Sequence, residues 1–430
     1  MTIPPPGTSG AATATSGAFE PVAPTQRSEW LDALRGFALL GILVLNIQVF
    51  SGYAFRGLVS TTAMPSAAYL LDPVLDLLAH AMGQGKFYSL FSFLFGLGFA
   101  LQLRRAPGTD VQALPVVRRR MAWLLVFGLA HALLLWFGDI LTVYAVFGFA
   151  LIWFRNVSQR VLLRWALFFL ASPMLAYLVF MAVGLGDPLA GDPSVPLAAS
   201  PVGKAISAMT GGSYFDVVQN QLLFYPGGWM RRALHLALPR IFGMFLLGAW
   251  AARIGLPNAR DVHAPMLRRW LLWGVVLGLP LNIGFAVLGG NEAMLPASPT
   301  GLLAVVLASF GMPLLCLAYV AAFALYWRTP RPRSLLVAAG RTGLSHYLGQ
   351  SVVCVLLFYG IGLGLFGRVS YAVALLLAVA VFLFLSLLGR LWLNRYQQGP
   401  MEALWRQLSY GRRNVTASRM SAGRIVAPAE

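Results

Sequence analysis

Three residues able to do chemistry stand in the stretch EWLDALRGFALLGILVLNIQVF, which runs from Glu29 to Phe50. Asp32, Arg35 and Asn46 are set there in otherwise apolar sequence. Asp32 precedes Arg35 by three residues and can pair with it on one helix. Arg35 and Asn46 are spaced by three helical turns, so they share a face and stand about 16 Å apart along the axis. That face offers polar groups at two depths of a membrane, with apolar Leu39 and Ile42 between them. It suits a narrow path for an acyl chain or a thin substrate. The plainer reading is a structural Asp32–Arg35 pair near the interface, with Asn46 bonded to a neighbouring helix. An arginine inside a span is costly and usually faces a cavity, which favours the path.

Further candidates are scattered along the chain. FGLAHALLLWFGDILTVY holds His131 and Asp139. His131 can act as a base or bridge two helices. Asp139 can cap the helix that follows, and its place also suits a site at the outer surface. GQGKFYSLFSFLFGLG holds Lys86, which either snorkels to the interface or contacts an anionic substrate. This is no phosphate-binding P-loop, because Phe87 follows the lysine and the required glycine is missing. Gly96 and Gly98 allow close helix approach. HLALPRIFGMFLLGAW holds His235 and Arg240, with Pro239 loosening the helix just before the arginine. Arg240 either snorkels outward or lies within the membrane. AGRTGLSHYLGQS begins on the cytoplasmic side and carries Arg341, Ser345, His346, Tyr347 and Gln350, some of which would meet a cytosolic ligand. His263 reads as ordinary surface. There is no HExxH, no Cys/His cluster and no GxSxG, so neither a metal site nor a serine elbow is expected.

The elements that must position these residues follow from composition. Of 430 residues, 58% are hydrophobic and 11% charged, whereas soluble chains carry about a quarter charged residues. Long apolar runs recur, and the short alternating segments of a membrane barrel are absent. The fold class is all-α, a polytopic membrane protein. Ten spans are expected, near 30–50, 86–103, 119–138, 140–155, 161–184, 234–252, 268–289, 301–327, 342–363 and 369–392. Residues 67–82, with Asp72, Asp76 and His80, read as an amphipathic interfacial helix. A long external loop is expected over 185–233, partly on the membrane surface.

The net charge of +18 lies in short loops rather than a basic domain, which excludes nucleic acid as a partner and leaves the lipid bilayer. Most Lys and Arg fall on one side if both termini are cytoplasmic, so N-in and C-in follow from the positive-inside rule. Arg56, Lys204, Arg231, Arg232 and Arg368 lie outside on this map. Cys316 and Cys354 fall within spans and read as buried thiols. Residues 1–26 read as a disordered tail rather than a secretory signal. An N-terminal transmembrane half follows over 27–254, then a C-terminal half over 255–410 and a basic tail over 411–430.

The stretches LDALRGFALLGILVLNI, GKFYSLFSFLFGLGFAL, HALLLWFGDILTVYAVFG, GRTGLSHYLGQS and QGPMEALWRQLSY resemble, in order, the YeiB family of bacterial inner-membrane proteins, whose C-terminal half is domain of unknown function 418. His346 stands where that family commonly has Asn. The family looks related to membrane-embedded acyltransferases that move an acyl group from cytosolic acyl-CoA to a sugar across the membrane. The resemblance implies no permanently bound cofactor, acyl-CoA as donor, and a glycan or small-molecule acceptor. Bacterial O-acyltransferases of this group carry Arg, ten residues, then His on the first span, while the glucosaminide enzymes carry Arg, ten residues, Asn, and a His soon after. Arg35 and Asn46 copy the spacing, and Ile47 to Ser60 contains no His. The resemblance therefore leaves the role of base to His131, with His80 and His235 behind it. Asp32, Arg35 and Arg341 would hold the donor, Asn46 the acyl carbonyl, and Asp139 and Lys86 the acceptor. Export of a small molecule, with Arg35, His131 and Arg240 along the path, is the alternative, and a scaffold with a vestigial site is the third.

Overall fold

The computed structural model describes residues 28–56, 69–104, 110–183, 196, 199–224, 236–290, 295, 298–327 and 334–410. The two expected tails, His235, Arg231 and Arg232 lie outside these residues. Among the described residues there are helices and connections and no strand.

Helix α1, Glu29–Phe50, is the axis of the molecule. None of its residues is fully exposed. It packs on α3 (Lys86–Arg104), α13 (Leu335–Arg341), α14 (Gly343–Phe358) and α15 (Tyr371–Leu393). The closest of these approaches is to α13, because α1 and α13 both place glycine at the crossing. A methyl at Gly36 would strike the Leu336 carbonyl, and one at Gly340 would strike that of Asp32. Small residues that let backbones meet are what hold helices together where lipid supplies no hydrophobic drive. The same device joins α3 to α9 (Ala237–Arg253): Gly96 meets the Phe245 carbonyl and Gly248 meets that of Phe93.

Helix α4 (Asp110–Leu134) packs on α5 (Leu141–Trp153), and α6 (Gln159–Ala182) lies on α9. Helix α10 (Ala264–Trp273) runs through a π turn, Gly274–Gly278, into α11 (Leu279–Val287), and all three lie along α12 (Pro299–Tyr326). The π turn has a local cause. Pro280 has no N–H for the Val276 carbonyl, so the ladder widens before it. Among the described residues, six segments are long and apolar enough to cross a membrane, and Leu141–Trp153 and Gly343–Phe358 are shorter apolar helices. Helices α4 and α9, expected as spans, fall outside this set. Arg118, Arg119 and Arg120 sit inside the first, and the second is 17 residues long. Leu376, Leu383 and Phe384 of α15 and Leu167, Phe168 and Leu175 of α6 are exposed. Outward apolar faces on helices with buried polar groups identify a multi-pass membrane protein.

Three regions differ from the expected plan. The expected loop over 185–233 holds two helices, α7 (Pro201–Gly211) and α8 (Tyr214–Phe224). Ser200 caps the first, and Ser213 and Asp216 exchange bonds at the start of the second. Helix α2, Asp72–Met82, is separate from α3 as expected, with the intervening turn closed by Gly85 at φ 80°. Its polar edge, however, is turned to the protein. Asp72 accepts from the backbone N–H of Tyr371 (3.0 Å) and Ala372 (3.1 Å), capping α15 from a distance, while Val74 and Leu78 point outward. Helix α16, Pro400–Tyr410, was not foreseen, and it lies across α4 and α14.

Candidate functional site

Helix α4 ends one turn after His131, and the chain turns back through Asp139 into α5. Asp139 accepts from Leu141 N (3.1 Å) and Thr142 N (2.7 Å), satisfying the free donors at the head of α5. Its Oδ1 also lies 2.9 Å from His131 Nδ1. The other ring nitrogen, Nε2, lies 2.8 Å from Ser351 Oγ on α14. All three residues are at most 2% exposed. A carboxylate that accepts at Nδ1 places the ring proton there, leaving Nε2 as acceptor for the serine hydroxyl. This is the order carboxylate, imidazole, hydroxyl, in which a histidine can take a proton from an alcohol. Tyr347, one turn before Ser351, packs its ring 5.0 Å from that of His131.

Helix α1 pairs Asp32 with Arg35 as their spacing predicts. Arg35 donates to Asp32 at 2.5 Å. The Arg35 side chain keeps 31% exposure on a helix with no exposed residue. Its neighbour is Gly98 of α3, where a methyl would make only ordinary contact with the guanidinium, while Gly96 makes the close α3–α9 approach. Asn46 is half-buried, and no side-chain hydrogen bond of Asn46 is found among the described residues. Between the two, the Leu39 carbonyl accepts from Gln350 Nε2 at 3.3 Å, which ties α1 to α14.

The remaining candidates are drawn elsewhere. Lys86 is fully buried, donating to the His80 carbonyl at 2.8 Å, so it does not snorkel. Arg240 is equally buried, donating to Tyr88 Oη (2.8 Å) and the Met312 sulfur (3.0 Å). Arg341 reaches the Gln397 carbonyl at 3.4 Å, so its guanidinium is engaged by the C-terminal stretch. His80 lies against Asp76, and Asp76 in turn accepts from Gln48, a cluster the sequence reading did not assemble. Ser345 and His346 are engaged by neighbouring helices. Ser345 Oγ donates to Glu402 of α16 at 2.6 Å, and His346 Nε2 lies 3.1 Å from Ser386 on α15. Glu402 also accepts from Leu344 N (2.6 Å) and Ser345 N (3.1 Å), so it caps α14. Burial pushes its carboxyl above the usual carboxylate range, and the bonds from Ser345 and Leu344 oppose that.

Comparison with known proteins now bears on both halves. The family described as "Protein of unknown function (DUF418)" matches residues 251–412. The uncharacterized protein YxaH of Bacillus subtilis (strain 168) is 32% identical over 91% of this chain and 96% of its own length. The chain belongs to the DUF418 family. The uncharacterized protein YeiB of Escherichia coli (strain K12) is 30% identical over 89% of this chain and 96% of its own. A 39.9 kDa protein of Bacillus acidopullulyticus, named for its place in the amylase 3' region, is 26% identical over 92% and 97%. Of the relay, the DUF418 match contains Ser351 alone, while His131 and Asp139 precede it.

Ser351 is the member that sequence reasoning missed. A serine in an apolar helix carries no local signal, and its partner is 220 residues away. A cavity of about 90 Å³ lies apart from the relay, lined by Phe99, Leu103, Phe154, Arg155 and Arg253. It is far smaller than the roughly 300 Å³ or more of an ordinary ligand pocket. Arg253 there donates to the Phe154 (2.7 Å) and Arg155 (2.9 Å) carbonyls at the end of α5.

Proposed function

We propose that this DUF418 protein is a membrane-embedded acyltransferase, moving an acyl group from cytosolic acyl-CoA to an extracytoplasmic glycan or small-molecule acceptor. The observation that carries the reading is His131, held by a carboxylate at Nδ1 and facing a hydroxyl at Nε2. In this reading both termini are cytoplasmic, so Arg35 lies near the cytosolic end of α1 and Asn46 near the outer end. Arg35, oriented by Asp32, binds phosphates of the donor. His131 removes the proton of the attacking hydroxyl, and Asp139 keeps the ring in the tautomer that can do so. Asn46, with an amide not used by a neighbour among the described residues, donates to the acyl oxygen as it gains charge. Asp139 is a positioning residue here, since its oxygens already hold α5 and His131.

The test is acyl transfer by the purified full-length protein in vesicles. Arg35→Ala and His131→Ala are expected to lose transfer, the latter by about 10²–10⁴-fold, the usual contribution of a general base. Full activity in both variants, with normal folding, removes the assignment. Export of a small anion is the second reading, favoured by the complete burial of Lys86 and Arg240. It predicts flux in vesicles without acyl-CoA.

A further inference from the structure

Two serine–histidine pairs flank α14, and they are not equivalent. On one side His346 Nε2 lies 3.1 Å from Ser386 Oγ, but among the described residues its buried Nδ1 has no side-chain acid to hold it. On the other side His131 has Asp139 at Nδ1 and Ser351 at Nε2. Helical serines commonly return their hydroxyl to the carbonyl four residues back. Ser89, Ser92 and Ser409 do so here, to Gly85, Tyr88 and Trp405. Ser351 instead directs its hydroxyl across to the histidine.

Depth adds a second argument. The residue before Ser351, Gln350, donates to the Leu39 carbonyl. Leu39 stands about 6 Å beyond Arg35 and about 10 Å short of Asn46 along α1, at 1.5 Å per residue. Ser351 is therefore level with the middle of α1, between the depth of Arg35 and that of Asn46. A CoA thioester confined to one side and an acceptor confined to the other need not meet if a group at that depth holds the acyl chain in between.

Resting on the acyl-transfer reading above, we infer that Ser351 is a nucleophile that carries the acyl group as a serine ester midway through the bundle. In the first step Ser351 Oγ attacks the thioester carbonyl as His131 Nε2 takes its proton. The carbon–sulfur bond breaks and the proton leaves on the CoA thiol. In the second step an acceptor hydroxyl attacks the serine ester while His131 takes that proton. The ester bond breaks, and the proton returns to Ser351 Oγ. No oxidant or metal enters the balance.

Two probes test this on the full-length protein in detergent micelles. The first is a fluorophosphonate, which phosphonylates activated serines and needs no acyl donor. The second is a radiolabelled acyl-CoA series of two to sixteen carbons. The expected result is label from both on the peptide containing Ser351, lost in Ser351→Ala and in His131→Ala. Ser351→Cys should take acyl label in a form that neutral hydroxylamine releases, as a thioester, whereas the serine ester resists it. That shift in lability is one a packing role would not produce. Folded wild-type protein whose Ser351 takes neither label, or label that survives His131→Ala, overturns the inference. Fluorophosphonate labelling that needs His131, in a protein that transfers no acyl group, keeps Ser351 as nucleophile and removes the acyl-CoA reading. Acyl transfer that persists in Ser351→Ala does the reverse.

Discussion

Asp139 does two jobs with two oxygens, and they can be separated. Asp139→Ala removes the cap of α5, a loss of about 1 kcal/mol. It also leaves the buried His131 Nδ1 without an acceptor, which costs about 1–3 kcal/mol more. Asp139→Asn keeps an acceptor for the helix but can present an amide N–H to the ring. Thermal unfolding should therefore show a clearly destabilised alanine variant and a milder asparagine variant, while initial rates of transfer fall in both. A rate unchanged in Asp139→Asn would show that the ring does not depend on its tautomer. Glu402 gives a pH signature. Its carboxyl stands above the usual range when folded, so it favours the folded state most at low pH, and that contribution falls away as pH rises past the ordinary carboxylate value. The melting temperature of the wild type relative to Glu402→Gln should then decline from pH 4 toward neutrality, and a flat difference would oppose this. His131 and Asp139 were legible singly, as a base and a helix cap flanking one turn, but their bond to each other was not. Ser351 and Glu402 were not, because each acts on a partner that only the fold brings near.

Among elements, the α3–α9 and α1–α13 crossings depend on missing side chains. Gly248→Ala pushes a methyl into the Phe93 backbone, and overpacking of this kind costs about 1–3 kcal/mol. Gly98→Ala meets only the end of the Arg35 side chain at 3.8 Å and should leave unfolding in detergent unchanged. Equal effects of the two substitutions would contradict the close approach. The apolar spans could be read from composition because burial in lipid demands long uncharged runs. Helix α13 is seven residues long, and α16 mixes polar and apolar residues, so neither carries such a run. Their places come from glycine contacts with α1 and from the Glu402 cap, which no periodicity records.

At the scale of the whole molecule, the orientation proposed above rests on charge. Cysteines placed singly in a background lacking Cys316 and Cys354 should be reached by a membrane-impermeant thiol reagent from outside at Arg56 and Arg368, and only after permeabilisation at Arg260 and Arg395. The reverse pattern would turn the reading inside out and place Arg35 on the outer side. The bundle also has an order of manufacture. Asp72 caps a helix whose first residues are made 299 residues later, an interval of about 15–60 s at ordinary rates of synthesis. The glycine seat on α1 likewise waits for Leu336 and Gly340. These two latches on the first helices thus close only when nearly the last ones arrive, whereas the packing of α1 on α3 does not wait. A chain stalled before residue 335 would leave Asp32 and Gly36 without the backbone of Leu336 and Gly340 that closes over them.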